Sequence, residues 1–86
     1  MITFTNDSSQ KFSTTINGKL YFFEVSYNTL TDEWVLDIND TNIFIYGVRI
    51  VGGIDILKQY GLGFGLISTQ NDPTRDTLIN FILEVI

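Results

Sequence analysis

The chain has 86 residues, neither cysteine nor histidine, and ten acids against five bases, a net charge of −5. That length gives one hydrophobic core, so residues 1–86 are read as a single β domain. Without Cys or His there is no disulfide, no thiolate metal site and none of the usual general base, and the negative balance argues against gripping a nucleic-acid backbone. The expected protein is therefore not an enzyme and carries no cofactor or metal.

Alanine is absent, while Ile, Val and Thr supply twenty-seven residues, a composition that favours strands over helices. No basic segment precedes an apolar stretch at Met1-Ile2-Thr3-Phe4, so no export signal is read there. The longest apolar run, Ile43 to Val48, is far below the ~20 residues of a membrane helix, so no membrane partner is expected.

In chain order, Ile2–Thr5 reads as a short strand closed by the polar cluster Asn6–Gln10. Lys11–Ile16 and Lys19–Tyr27 flank Asn17-Gly18, a dipeptide suited to a type I′ hairpin turn because both positions tolerate positive φ. In the second of these strands Tyr21, Phe23, Val25 and Tyr27 share one face and Leu20, Phe22, Glu24 and Ser26 the other. Trp34–Asn39 follows, with Trp34, Leu36 and Ile38 on one side. Keeping both apolar sets on one face demands that odd positions pair with even ones. A four-residue loop, Asn28–Thr31, sets Val25 opposite Trp34 and Phe23 opposite Leu36; a six-residue loop sets Tyr27 opposite Trp34. The shorter loop is the preferred reading.

Ile43–Val51 is a further strand, ended by Gly52-Gly53. Residues 54–60 hold the one place for a helix, at most a short turn. Residues 61–67 read as a strand with glycine at alternate positions, stripping one face so that a backbone or ring can lie against it. Asn71-Asp72-Pro73 is a turn. Thr77–Ile86 reads as the last strand, with Ile79, Phe81, Leu83 and Val85 on one side. The expected fold is all-β: a small antiparallel β-barrel or rolled sheet of six to seven strands. Its core should include Phe23, Val25, Trp34, Leu36, Ile38, Ile50, Leu66 and Phe81.

Residues that resemble chemistry read better as structure. Gly61-x-Gly63-x-Gly65 lacks the third glycine of a dinucleotide fingerprint, since Leu66 stands there. Asp37, Asn39, Asp40 and Asn42 bunch oxygen ligands, but the calcium-loop positions fall on Asn42 and Val48, so a solvated turn with local hydrogen bonds is expected. Glu24 and Asp37 share a strand face without a cleft around them. Between Lys19 and Arg49 stand five acids and no base, suited to a basic partner surface or simply to solubility.

The ordered string Asn17-Gly18-x-x-Tyr21, then Tyr27-Asn28, then Trp34-Val35-Leu36-Asp37-Ile38-x-Asp40, continues with Ile45-x-Gly47-x-x-Ile50-Val51-x-Gly53-x-Asp55-Ile56-Leu57, Tyr60 and the Gly-Leu-Gly strand. Over about residues 11–86 this resembles the baseplate plug proteins of contractile-tailed bacteriophages. The resemblance implies a structural role in the virion tail baseplate, assembled in the bacterial host cytoplasm. It also implies contacts with hub, spike or tube proteins and leaves room for a homo-oligomer. The residues expected at an interface are those whose bulk has no place in one core: Phe22, Phe44 and Tyr46, with Tyr60. A different class of function, a small β-barrel module binding a ligand such as carbohydrate, would use Trp34 and the tyrosines as a stacking platform. It requires Trp34 to be exposed.

Overall fold

The computed structural model describes residues 1–86. Four strands, β1 (Ser9–Ile16), β2 (Lys19–Asn28), β3 (Glu33–Asn39) and β4 (Phe44–Arg49), form an antiparallel meander in the order β1-β2-β3-β4. The Asn17-Gly18 turn has both residues at positive φ, 53° and 79°, and Ile16 faces Lys19 across it. This is the primed turn whose twist suits a two-residue hairpin.

The β2–β3 register pairs Tyr27 with Trp34, Val25 with Leu36 and Phe23 with Ile38. The preferred register with Val25 opposite Trp34 is thus incorrect and the alternative with Tyr27 opposite Trp34 holds, though Asn28 also pairs with Glu33, which shortens the six-residue connection of that reading to Thr29–Asp32. Side chains in the turn explain it. Asn28 Oδ1 accepts the N–H of Leu30, Asp32 takes φ +54°, and Tyr27 donates its hydroxyl to Asp32 Oδ1. The Tyr27 and Trp34 rings then meet edge to face, 5.0 Å between centroids, an aromatic cross-strand pair.

A bulge in β4 determines which of its residues face inward. Ile38 pairs with Ile45 but Leu36 pairs with Val48, so Tyr46 and Gly47 together oppose Asp37. Gly47 has φ +75° and gives its N–H to Asp37 Oδ1. The extra residue switches the inward parity from odd to even, and Ile45, Val48 and Ile50 all become buried.

The strands do not close into a barrel. A second, thinner layer covers one face of the meander. It holds β5 (Leu66–Ile67) paired with β6 (Glu84–Val85), flanked by single bridges from Ile2 to Leu83 and from Asp55 to Ile67. Residues Ile2–Thr5 supply only that bridge, because the Gln10 side chain bonds the backbone of Thr5 and Asp7 and turns the chain away. The strand read over 61–67 shrinks to β5, since Gly61 and Gly63 have φ of 62° and 84°. Residues 54–60 contain one 3-10 turn, Lys58–Tyr60. The strand read over Thr77–Ile86 is interrupted by another 3-10 turn, Leu78–Asn80, so Leu78, Phe81 and Leu83 point inward while Ile79 and Val85 are exposed.

Nineteen buried apolar residues form one core between the layers, including all eight expected from the sequence. From the meander come Tyr21, Phe23, Val25, Trp34, Leu36 and Ile38; from the cover come Phe64, Leu66, Leu78, Phe81 and Leu83. Each such side chain contributes roughly 1.5–3 kcal/mol by leaving water. Trp34 also donates its indole N–H to the carbonyl of Thr74 at 2.8 Å, and the Arg75 guanidinium lies over its ring, tying cover to sheet.

Candidate functional site

Period two that buries one face of the meander leaves the opposite face to solvent. Along β2 that outer face carries Leu20, Phe22, Glu24 and Ser26, and along β4 it carries Phe44 and Tyr46. The register places Ser13, Phe22, Asn39 and Phe44 in one row across all four strands. Phe22 is 49 %, Phe44 62 % and Tyr46 66 % exposed. The Phe44 and Tyr46 rings stack on each other, 6.4 Å apart and 16° from parallel. Three of the four expected interface residues therefore lie on one surface, and Leu20, on the same face of β2, joins them.

Tyr60 does not join them. It is half-buried, packs against the core, and lines a cleft beside β4.

The acids of residues 24–40 mostly have tasks inside the chain. Glu33 pairs with Arg49 at 2.9 Å, Asp32 accepts the Tyr27 hydroxyl, and Asp37 caps Gly47. Burial and the bond to Asp32 push the Tyr27 hydroxyl above its ordinary pKa. Asp40 is buried rather than solvated as expected: its Oδ1 accepts the N–H groups of Asn42 and Ile43, both at 2.7 Å, and its Oδ2 lies 3.0 Å from Lys19 Nζ. The backbone N–H of Asn42 first, then Lys19, hold the Asp40 carboxyl below the usual carboxylate range. The hydrogen bond to Asp40 and its charge raise Lys19. Glu24 stands directly opposite Asp37 on the outer face. An acidic docking strip therefore shrinks to little more than Glu24, while the exposed aromatics remain.

The alternate glycines divide into two kinds. Gly61 and Gly63 have open space where a Cβ would stand and serve backbone conformation, which corrects the close-packing expectation for Gly63. Gly65 does mark a close approach: a Cβ there would collide with the Asp55 carboxylate. Asp55 Oδ1 accepts the N–H groups of Leu57 and Leu66, each at 3.0 Å.

Trp34 is 1 % exposed, so the stacking platform required by a carbohydrate-binding module has lost its tryptophan to the core.

A family model described as "Cyanophage baseplate Pam3 plug gp18" matches residues 1–85. No curated protein matches the chain.

Proposed function

The chain belongs to the cyanophage baseplate plug family and is thereby a structural component of a phage baseplate, at the virion tail; from that premise we propose that it is held in place by apolar protein–protein contacts of the outer sheet face. The observation that carries this is the set Phe22, Phe44 and Tyr46, exposed together on the face opposite the core. Aromatic anchors concentrate binding energy at interfaces, and a patch of them in solvent is disfavoured unless a partner covers it. The partners are other baseplate proteins, of the hub, spike or tube, in a contractile tail assembled in the host cytoplasm. The same face is available to a second copy of the chain.

Because the attraction is apolar, attachment survives high salt; a contact made by the acids would weaken. The test is incorporation into particles when the chain is supplied as Phe22→Ser or Tyr46→Ser. Each variant should fold normally and be incorporated about tenfold or more below the parent, the loss of about 1.4 kcal/mol or more expected of an interface anchor. Parental incorporation of both would refute the reading.

A further inference from the structure

The meander has two open edges, and they are built differently. In an antiparallel ladder the N–H and C=O of alternate residues point away from the partner strand. On β1 the Tyr27 N–H bond to the Ser8 carbonyl fixes the parity, so Ser9, Lys11, Ser13 and Thr15 face outward. That edge is polar and carries a lysine, a common way of discouraging strand addition. On β4 the bonds from Asp40 N–H to the Ile43 carbonyl and from Ile50 N–H to the Trp34 carbonyl, both 3.0 Å, fix the parity. The outward groups there belong to Phe44 and Tyr46 before the bulge and to Arg49 after it. None of them forms a hydrogen bond outside the β3–β4 ladder.

The β4 edge opens on a cleft of about 730 Å³ whose far wall is the 54–60 segment. Val51, Ile54 and Tyr60 give it an apolar lining, and Lys58 stands there without a carboxylate partner. Asp55, the carboxylate in the cleft, is turned to the N–H groups of Leu57 and Leu66. Lys11 lies on the β1 edge strand itself, whereas Lys58 stands on the cleft wall beside β4, where it offers a countercharge to an acidic, extended segment without occupying the edge.

Resting on the reading that this chain is held by protein contacts, we infer that β4 takes up an extended segment of another baseplate protein as a fifth strand. Its main chain bonds the outward groups of Phe44, Tyr46 and Arg49, its alternate apolar side chains enter the cleft toward Ile54 and Tyr60, and a carboxylate meets Lys58. A second copy's β4 fits less well, because it brings its own 54–60 wall and its own Lys58 to the same gap.

Amide hydrogen exchange, compared between the purified chain and the chain in assembled particles, tests this. The amides of Phe44, Tyr46 and Arg49 should slow by about tenfold or more on assembly, as bonded strand amides do. Unchanged exchange would overturn the inference, and if Phe22→Ser still lowered incorporation the outer-face reading would stand without it. Protection that grows with concentration in the purified chain alone would assign the edge to a second copy and also overturn it. As a second arm, Phe44→Pro removes an outward N–H at the first residue of β4, where proline is tolerated. Phe44→Ser removes only the ring. Incorporation of Phe44→Pro clearly below Phe44→Ser supports strand addition; equal incorporation of two folded variants contradicts it.

Discussion

Residues 9–49 and residues 50–86 satisfy the same polar backbone in two different ways. In the meander, consecutive strands pair with each other along their whole lengths, so the chain supplies its own donors and acceptors. In the cover the two strands have two residues each, isolated backbone pairs such as Ile2 with Leu83 and Gly65 with Ile86 extend them, and single side chains fill the gaps between these short pairings. Asp72 Oδ1 accepts the Gly52 N–H, Gln70 bonds both Asn80 and Ile82, and Asn6 reaches Asp76 and Ile79. A sheet spreads its bonding over many residues and leaves one face free to carry contacts. A cover stitched by side chains concentrates its stability in a few positions.

The largest effect expected from that contrast is in the cover. Gly65→Val displaces the Asp55 carboxylate and orphans the two N–H groups it holds, for a loss of roughly 3–5 kcal/mol by overpacking plus lost acceptors. Denaturant unfolding would measure it, and a loss below about 1 kcal/mol would show that the cover relaxes freely. Next comes Asp55→Leu, which removes the acceptor without overpacking. It should destabilise by roughly 2–3 kcal/mol, against about 1 kcal/mol or less for Asp37→Ala in the meander, where a single exposed bond is lost. Equal losses at the two sites would erase the distinction between the layers.

The Lys19–Asp40 pair gives a smaller, pH-dependent effect. Asp40 has a lowered folded pKa, so its contribution is present above the ordinary value of 3.8 and drains as pH falls through the folded value. Lys19 has a raised folded pKa, so its contribution is complete below 10.5 and is lost as pH rises through the folded value. Melting temperature against pH should therefore fall at both extremes, and Asp40→Asn should flatten both limbs. An unchanged acid limb in that variant would remove Asp40 from the account. The smallest effect belongs to the outer face: Phe22→Ser should alter stability within about 0.5 kcal/mol, since the residue is 49 % exposed on the face opposite the core.

The same contrast decides what could be read from sequence. Strict alternation placed Phe23, Val25, Trp34, Leu36 and Ile38 in the core, with Tyr21 on the same face, and Asn17-Gly18 located its turn, because both signals are local. Phe22, Phe44 and Tyr46 followed as the residue of that pattern. The β2–β3 loop was misjudged because parity alone allows both registers, and the choice rests on the Asp32 backbone and the Tyr27–Trp34 ring pair. The β4 bulge was legible only as Gly47 interrupting an apolar run. The cover escaped most completely: Ile79 looked equivalent to Phe81 until a 3-10 turn rotated it outward, and the Asp55–Gly65 contact joins residues ten apart with no period between them. Tyr60 was grouped with the outer aromatics on bulk, although its place depends on how the 54–60 segment packs.

Hydroxyl-radical footprinting of the free chain and of the chain in assembled particles addresses the outer face most directly. Phe22, Phe44 and Tyr46 should all become protected on assembly, while Leu30, 94 % exposed at the β2–β3 turn, serves as the reference in the same sample. If the three aromatics are oxidised in particles as readily as in the free chain, the outer sheet face is not what holds this protein in the baseplate.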